Sequence, residues 1–253
     1  MRVGLDTQAG HAVRVKPAGT YPRRNCLRSL RALRLLFGSL DINLAQVFIA
    51  FIVLLFSLTI HETAHAWTAD RLGDSTARLL GRVSLNPMVH ADPIGTVLFP
   101  LIALLTGAPL IGWAKPVPVN VRQLRRHRSD FVLVAAAGPA SNLLLAFGSA
   151  IALSLIPISP QTLNEANVSV PIAAILSQAM RLNVLLAVFN MIPIPPLDGG
   201  NVLGGLLPYR LAVSFNRLRP YGFLLLYALV LSGGFNYLVG PPYRMIVSWL
   251  PTK

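Results

Sequence analysis

Val47-Phe48-Ile49-Ala50-Phe51-Ile52-Val53-Leu54-Leu55-Phe56-Ser57-Leu58-Thr59-Ile60-His61-Glu62-Thr63-Ala64-His65 decides the fold. An uninterrupted uncharged run leads directly into an H-E-x-x-H pattern. On a helix, residues four apart are separated by about 400° of rotation, so the His61 and His65 rings project from one face. Two imidazoles on one face suit a single zinc ion, with Glu62 beside them as general base. The pattern usually marks a soluble zinc site. Here the apolar run places it inside a membrane span. A chain with 5 His and 9 acidic residues in 253 yields such a match by chance about 0.004 times. A fortuitous pair of helix-end histidines is therefore a weak competitor.

Composition agrees with a membrane setting. The chain is 54% hydrophobic and 12% charged, with a mean hydropathy of +0.60, which excludes an ordinary soluble domain. Its length allows one membrane domain of several spans and no large soluble module besides. Cys26 is the single cysteine, so neither a disulfide framework nor a Cys-rich zinc site is available. The net charge is +13, but the basic residues lie between apolar segments. Lipid headgroups and topology account for them, and no nucleic-acid partner is expected.

Three regions follow from the pattern. Residues 1–42 form a basic N-terminal segment, partly disordered, whose first forty residues carry Arg2, Arg14, Lys16, Arg23, Arg24, Arg28, Arg31 and Arg34 against one acid, Asp6. Within it, residues 27–37 have the pattern of a basic amphipathic surface helix. A cytoplasmic anchor, a targeting presequence and a start assigned too far upstream are the three readings of this segment. A cleaved signal peptide is not expected, because its removal would take the run that leads into His61. Residues 43–206 form the membrane core, and residues 207–253 a last span with an interfacial tail. Apolar runs predict spans at about 43–69, 93–111, 131–156, 172–194 and 220–240. In Trp113–Asn120, prolines at 116 and 118 forbid a helix and fit either an edge strand or a plain extended loop. The expected fold is an all-α polytopic membrane protein with about five transmembrane helices and a small membrane-associated β-hairpin or edge strand.

Two histidines leave a catalytic zinc short of one protein ligand. Asp198 ends an apolar helix in the run Pro193-Ile194-Pro195-Pro196-Leu197-Asp198-Gly199-Gly200. Broken helical bonding there can turn its carboxylate inward, and the alternative is a turn Asp capping the glycines. His90 is the rival ligand. Asp70 and Asp74, directly after the H-E-x-x-H helix, read as solvated loop groups or as supports for the ligands. A bend at Pro193 would aim Asn190 into the metal cavity as an oxyanion donor, and an interhelical hydrogen bond is its alternative. Asn142 is a candidate substrate contact, with helix tethering as its alternative.

These pieces together resemble the site-2 protease family of intramembrane zinc metalloproteases, Peptidase family M50. The matching motifs are His61-Glu62-x-x-His65, Gly138-Pro139-Ala140-Ser141-Asn142 and Asn190-x-x-Pro193-x-Pro195-Pro196-Leu197-Asp198-Gly199, in family order over roughly residues 43–206. Gly81-Arg82-x-Ser84-Leu85-Asn86-Pro87 and Gly112-Trp113-Ala114-Lys115-Pro116-Val117-Pro118 resemble its compact bacterial branch. The resemblance implies one zinc per chain held by His61, His65 and Asp198, with Glu62 activating water and Asn190 steadying substrate or oxyanion. It implies a substrate strand added beside Trp113, Lys115 and Val117. It also implies membrane-anchored substrates, such as single-pass proteins or signal-peptide remnants, cut within the lipid bilayer. No PDZ-like or nucleotide-binding regulatory domain is expected, and the first and last forty residues carry no family motif.

The expected reaction is hydrolysis of a peptide bond in the membrane, with water admitted past the Asp70–His90 loops. The alternative is a non-catalytic membrane protein, either an inactive protease relative or a metal transporter. A transporter would spread ionisable groups over several spans, whereas here they cluster in two motifs. Orientation is in conflict: the basic N-terminal segment calls for a cytoplasmic N-terminus, and the family's zinc, nearer the cytoplasm, calls for the opposite first span.

Overall fold

The computed structural model describes residues 44–98, 102, 114–157 and 168–251. The expected 27–37 surface helix, the disorder of 1–26, Trp113, Glu165 and most of the 93–111 span lie outside the described residues. Helices, numbered along the described chain, are α1 (Leu44–Arg71), α2 (Thr76–Leu79), α3 (Pro87–His90), α4 (His127–Ser154), α5 (Ser169–Asn190), α6 (Asp198–Leu206), α7 (Tyr209–Asn216), α8 (Gly222–Leu231) and α9 (Gly234–Trp249). A π-helical turn, Pro93–Leu98, follows α3.

Three helices make the core: α4 packs on both α1 and α5, and α6 packs on α4. Their contacts are lined by small side chains. Ala66, Ala69, Ala146 and Ala150 are fully buried, and such residues let helix backbones approach closely where lipid gives no hydrophobic driving force. The most apolar stretches of α1, α4 and α5 are only 33%, 33% and 28% buried. Large apolar side chains such as Phe48, Phe56, Leu144 and Phe147 point outward. Helices that apolar and that uncovered require lipid around them.

The structure corrects the expected fold class in two respects. The first concerns strands. Among the described residues there is no strand and no β-hairpin, and residues 114–120 are extended without a ladder. The reason lies in the amide hydrogens. Prolines 116 and 118 have none, the Lys115 N–H donates to the His90 carbonyl at 2.8 Å, Val117 to Glu62 Oε2 at 3.0 Å and Asn120 to Asp74 Oδ2 at 2.6 Å. Donors that a neighbouring strand would need are already taken, two of them by carboxylates.

The second concerns the spans. Three helices among the described residues are long and apolar enough to cross a membrane, or four if the bent pair Tyr209–Leu231 and Gly234–Trp249 counts as one. Gly233, with φ 73°, sits in the break, and the two arms bend by 82°. A helix as short as α8 reaches about 15 Å, half a hydrocarbon core. The fourth span also ends early, at Asn190, where the proline run stops helical hydrogen bonding.

Asp74, expected in a solvated loop or behind the ligands, is fully buried. Its carboxylate accepts from Thr76 N–H at 3.0 Å and from Asn120 N–H at 2.6 Å, so it ties the loop after α1 to the end of the extended segment. Removing it strands two amides. Asp74→Ala should destabilise the fold by about 1–3 kcal/mol, read as a lower thermal midpoint in detergent, with Asp74→Asn intermediate because its single carbonyl oxygen still accepts.

Candidate metal centre

The candidate metal centre is built from the C-terminal half of α1 and the first residue of α6. His61 and His65 lie one helical turn apart, both buried. Their rings meet edge to face, with centroids 4.7 Å apart, and their Nε2 atoms stand 3.1 Å from each other. Asp198 Oδ2 stands 3.1 Å from His61 Nε2 and 3.3 Å from His65 Nε2. Among the described residues, these are the one group of at least three His, Cys, Asp or Glu able to hold a metal ion.

The donor set fits zinc on its own chemistry. His65 Nδ1 lies 2.7 Å from the Val134 carbonyl, which only accepts, so Nδ1 carries the proton and Nε2 presents a lone pair. Asp198 Oδ2 is buried and finds no hydrogen-bond donor. Acceptor atoms facing one another in a buried site repel unless a cation lies among them. Ligands on a tetrahedral zinc at 2.0–2.1 Å stand about 3.3 Å apart, which the three measured separations match.

Two sequence features make this approach possible. A β-carbon on Gly138 of α4 would lie 2.6 Å from His61 Nε2 and closer still to His65 Nε2, so only glycine lets α4 pass beside the ring nitrogens that face the metal position. The turn through residues 191–197 brings Asp198 back to α1, and the first turn of α6 sits tight against it. A β-carbon on Gly200 would lie 2.6 Å from Pro195 N.

Glu62 points into a cavity of about 690 Å³ shared with the three ligand candidates, Asn190 and Val117. Its Oε2 accepts from the Val117 N–H, which leaves the other oxygen for water. Asn190 donates one amide hydrogen to the Leu186 carbonyl at 2.9 Å and has a second on the same nitrogen. Lys115 is exposed at the start of the extended segment and is not part of the cavity wall.

His90 is elsewhere. It is buried, with Nε2 2.9 Å from the Ser84 carbonyl and Thr63 Oγ1 3.4 Å away, supporting α1 from outside the ligand group. Asn142 is fully buried behind His61 rather than in the cavity. Sequence reasoning missed Asn183 and Ser57 as parts of the site. The signal was present for Ser57, four residues before His61 and hence on its face. For Asn183 the signal was a polar residue in a span. It also missed the polar side of the cavity, which is made by His127 and Arg128 of α4, Asn201, Asn216 and Arg219.

The sequence profile of Peptidase family M50 matches residues 49–232. A Bacillus subtilis protein named "Putative zinc metalloprotease YwhC" is 38% identical over 190 residues, which is 75% of this chain and 83% of that protein. Rip2 of Mycolicibacterium smegmatis, with the same description, is 32% identical over 186 residues, 72% of this chain and 66% of its own length. Rip2 of Mycobacterium tuberculosis is 32% identical over 150 residues, and the match spans 52% of it. The chain thus spans most of the Bacillus relative but under two thirds of the Rip2 proteins. No solved structure matches.

Space beside the two ring nitrogens is tight, because a β-carbon at Gly138 would collide with both. Gly138→Ala should abolish or greatly reduce bound zinc in detergent-purified protein, measured by elemental analysis, while the helical content read by circular dichroism stays near that of the wild type.

Proposed function

Since the chain belongs to Peptidase family M50 and is an intramembrane zinc metalloprotease, we propose that His61, His65 and Asp198 hold its zinc and that Glu62 is its general base. The observation that carries the assignment is the triangle of two imidazole nitrogens and one undonated carboxylate oxygen, with Glu62 beside it in the same cavity.

A zinc held by these three residues would lower the pKa of water to about 7 and act as a Lewis acid on the scissile carbonyl. Glu62 takes the proton from the attacking water and returns it to the departing amine nitrogen as the C–N bond breaks. The Val117 N–H holds the Glu62 carboxylate in place during both transfers. Asn190, with its remaining amide hydrogen, steadies the oxyanion.

Substrates are embedded in the membrane, and an intact substrate helix hides its peptide bonds. The segment must therefore unwind before it enters the cavity. Val117 contacts it at the cavity wall and Lys115 contacts its flank outside. Single-pass proteins and signal-peptide remnants are the substrates of this size and topology, and the chain works as a multi-pass protein of the cell membrane. A non-catalytic, metal-transporting reading is not favoured, because the ionisable groups converge on one site instead of marking a path.

The test joins metal content to hydrolysis. Wild type should carry one zinc per chain, and His65→Ala and Asp198→Ala should lose it with the fold intact. Glu62→Gln should keep the zinc and cleave a helical model substrate about 10²–10⁴-fold more slowly. Cleavage by Glu62→Gln at the wild-type rate would sink the base assignment, and zinc kept in Asp198→Ala would sink the ligand set.

A further inference from the structure

His61 is held from behind by a chain of buried amides. Its Nδ1 stands 2.6 Å from Asn142 Oδ1. Asn142 Nδ2 donates to Asn183 Oδ1 at 2.7 Å. Asn183 Nδ2 donates to Ser57 Oγ at 2.9 Å and to the Ala179 carbonyl at 2.8 Å. Asn142, Asn183 and Ser57 are 0%, 2% and 3% exposed, so water does not satisfy these groups in their place. The chain links α1, α4 and α5.

Its direction is forced from one end. The Ala179 carbonyl can only accept, so Asn183 turns its nitrogen toward α5 and its oxygen toward Asn142. Asn142 must then offer Nδ2 to Asn183 and its oxygen to His61. The proton between Asn142 and His61 belongs to His61 Nδ1, which leaves Nε2 as a lone pair facing Asp198. A single backbone carbonyl on α5 thereby decides the tautomer of a ring on α1.

We infer that Asn142 and Asn183 are positioning residues that fix His61 in its Nδ1–H tautomer and so present Nε2 to the metal. This rests on the reading of His61 as a zinc ligand. The other histidine needs no such relay, because His65 Nδ1 meets the Val134 carbonyl directly. The opposite His61 tautomer would point an N–H at the metal position and set two acceptors, Nδ1 and Asn142 Oδ1, at 2.6 Å. A helix tether alone would not need this polarity, since either orientation of two amides holds two helices together.

The test uses the full chain in detergent, with zinc affinity from chelator competition, the visible spectrum of the cobalt-substituted protein and thermal unfolding of the metal-free protein. Asn142→Leu removes the acceptor at Nδ1 and should weaken zinc binding by about 10–100-fold. Asn142→Asp keeps an acceptor there and should bind zinc near the wild-type level, even where its metal-free stability falls as far as that of the Leu variant. Asn183→Leu leaves Asn142 in place without its orienting partner, and should lower zinc affinity and alter the cobalt spectrum. It also serves if Asn142→Leu does not fold.

Equal zinc loss in the Leu and Asp variants at 142 would reduce the pair to packing and overturn the inference. So would wild-type affinity in Asn142→Leu or Asn183→Leu while His61→Ala loses zinc. Zinc kept in His61→Ala would overturn the ligand reading itself, and the inference with it.

Discussion

Three electron-rich atoms, His61 Nε2, His65 Nε2 and Asp198 Oδ2, are held within 3.3 Å of one another inside an apolar helix bundle, and the local structure is arranged around keeping them there. Lone pairs at that separation repel, and burial strengthens the repulsion because little solvent screens it. The protein answers with rigid support behind each atom. Val134 holds one ring and the asparagine chain the other. Gly138 lets α4 lie close enough for both supports to reach. The two glycines after Asp198 seat α6 against the preceding turn, so the carboxylate arrives on a constrained backbone. A cation at the centre would turn that repulsion into attraction. Metal affinity and helix packing are therefore linked in this fold.

That coupling explains which parts of the site were legible in the sequence. His61, Glu62 and His65 are local: the period of a helix puts both rings on one face with Glu62 beside them, so spacing alone placed them. Asp198 lies 133 residues beyond His65, and periodicity cannot join them. The proline and glycine run around it showed that the chain breaks there, and the family resemblance supplied the rest. The choice between Asp198 and His90 stayed open on spacing because each is a polar residue beside prolines. Packing separates them, and packing is what a linear pattern omits. The asparagine relay was unreadable for the same reason. Asn142 and Asn183 each looked like a generic polar residue in a span, and their meaning depends on the Ala179 carbonyl, which no side-chain pattern reveals.

The fold was legible where apolar length decides it and not where hydrogen-bond partners decide it. The three core helices lie close to their expected bounds. The extended Ala114–Asn120 segment was correctly denied a helix by its prolines, yet extended backbone becomes a strand only if a neighbour takes its amides. Here carboxylates take them. The carboxylate that accepts from Val117 belongs to Glu62, so the segment positions the proposed base instead of extending a sheet. At the C-terminal end, an apolar run of adequate length is cut by Gly233. Hydropathy does not register a single left-handed glycine, but that residue turns one expected span into two bent arms.

Water supply imposes a further requirement. Hydrolysis needs water at Glu62, while α1, α4 and α5 present mostly lipid-facing apolar surface. The cavity resolves this by being built unequally. Against the core helices its wall is Phe131, Val134 and Ala135. Toward α6 and the turn beyond α7 it is Asn201, Asn216 and Arg219, with Arg128 at the start of α4. Arg128 donates to the Gly205 carbonyl at 3.1 Å and to the Leu207 carbonyl, and Arg219 donates to Asn201 and Asn216. These cations are held by neutral oxygens, so the polar wall carries net positive charge without a counter-ion in those contacts. Polar and charged groups of this kind hydrate readily, whereas the wall opposite is apolar. In the Asp70–His90 region, expected to admit water, Asp74 and His90 are buried, while residues such as Arg78, Leu80, Gly81 and Met88 are exposed. The polar wall thus lies on the α6–α7 side, the same side that delivers Asp198.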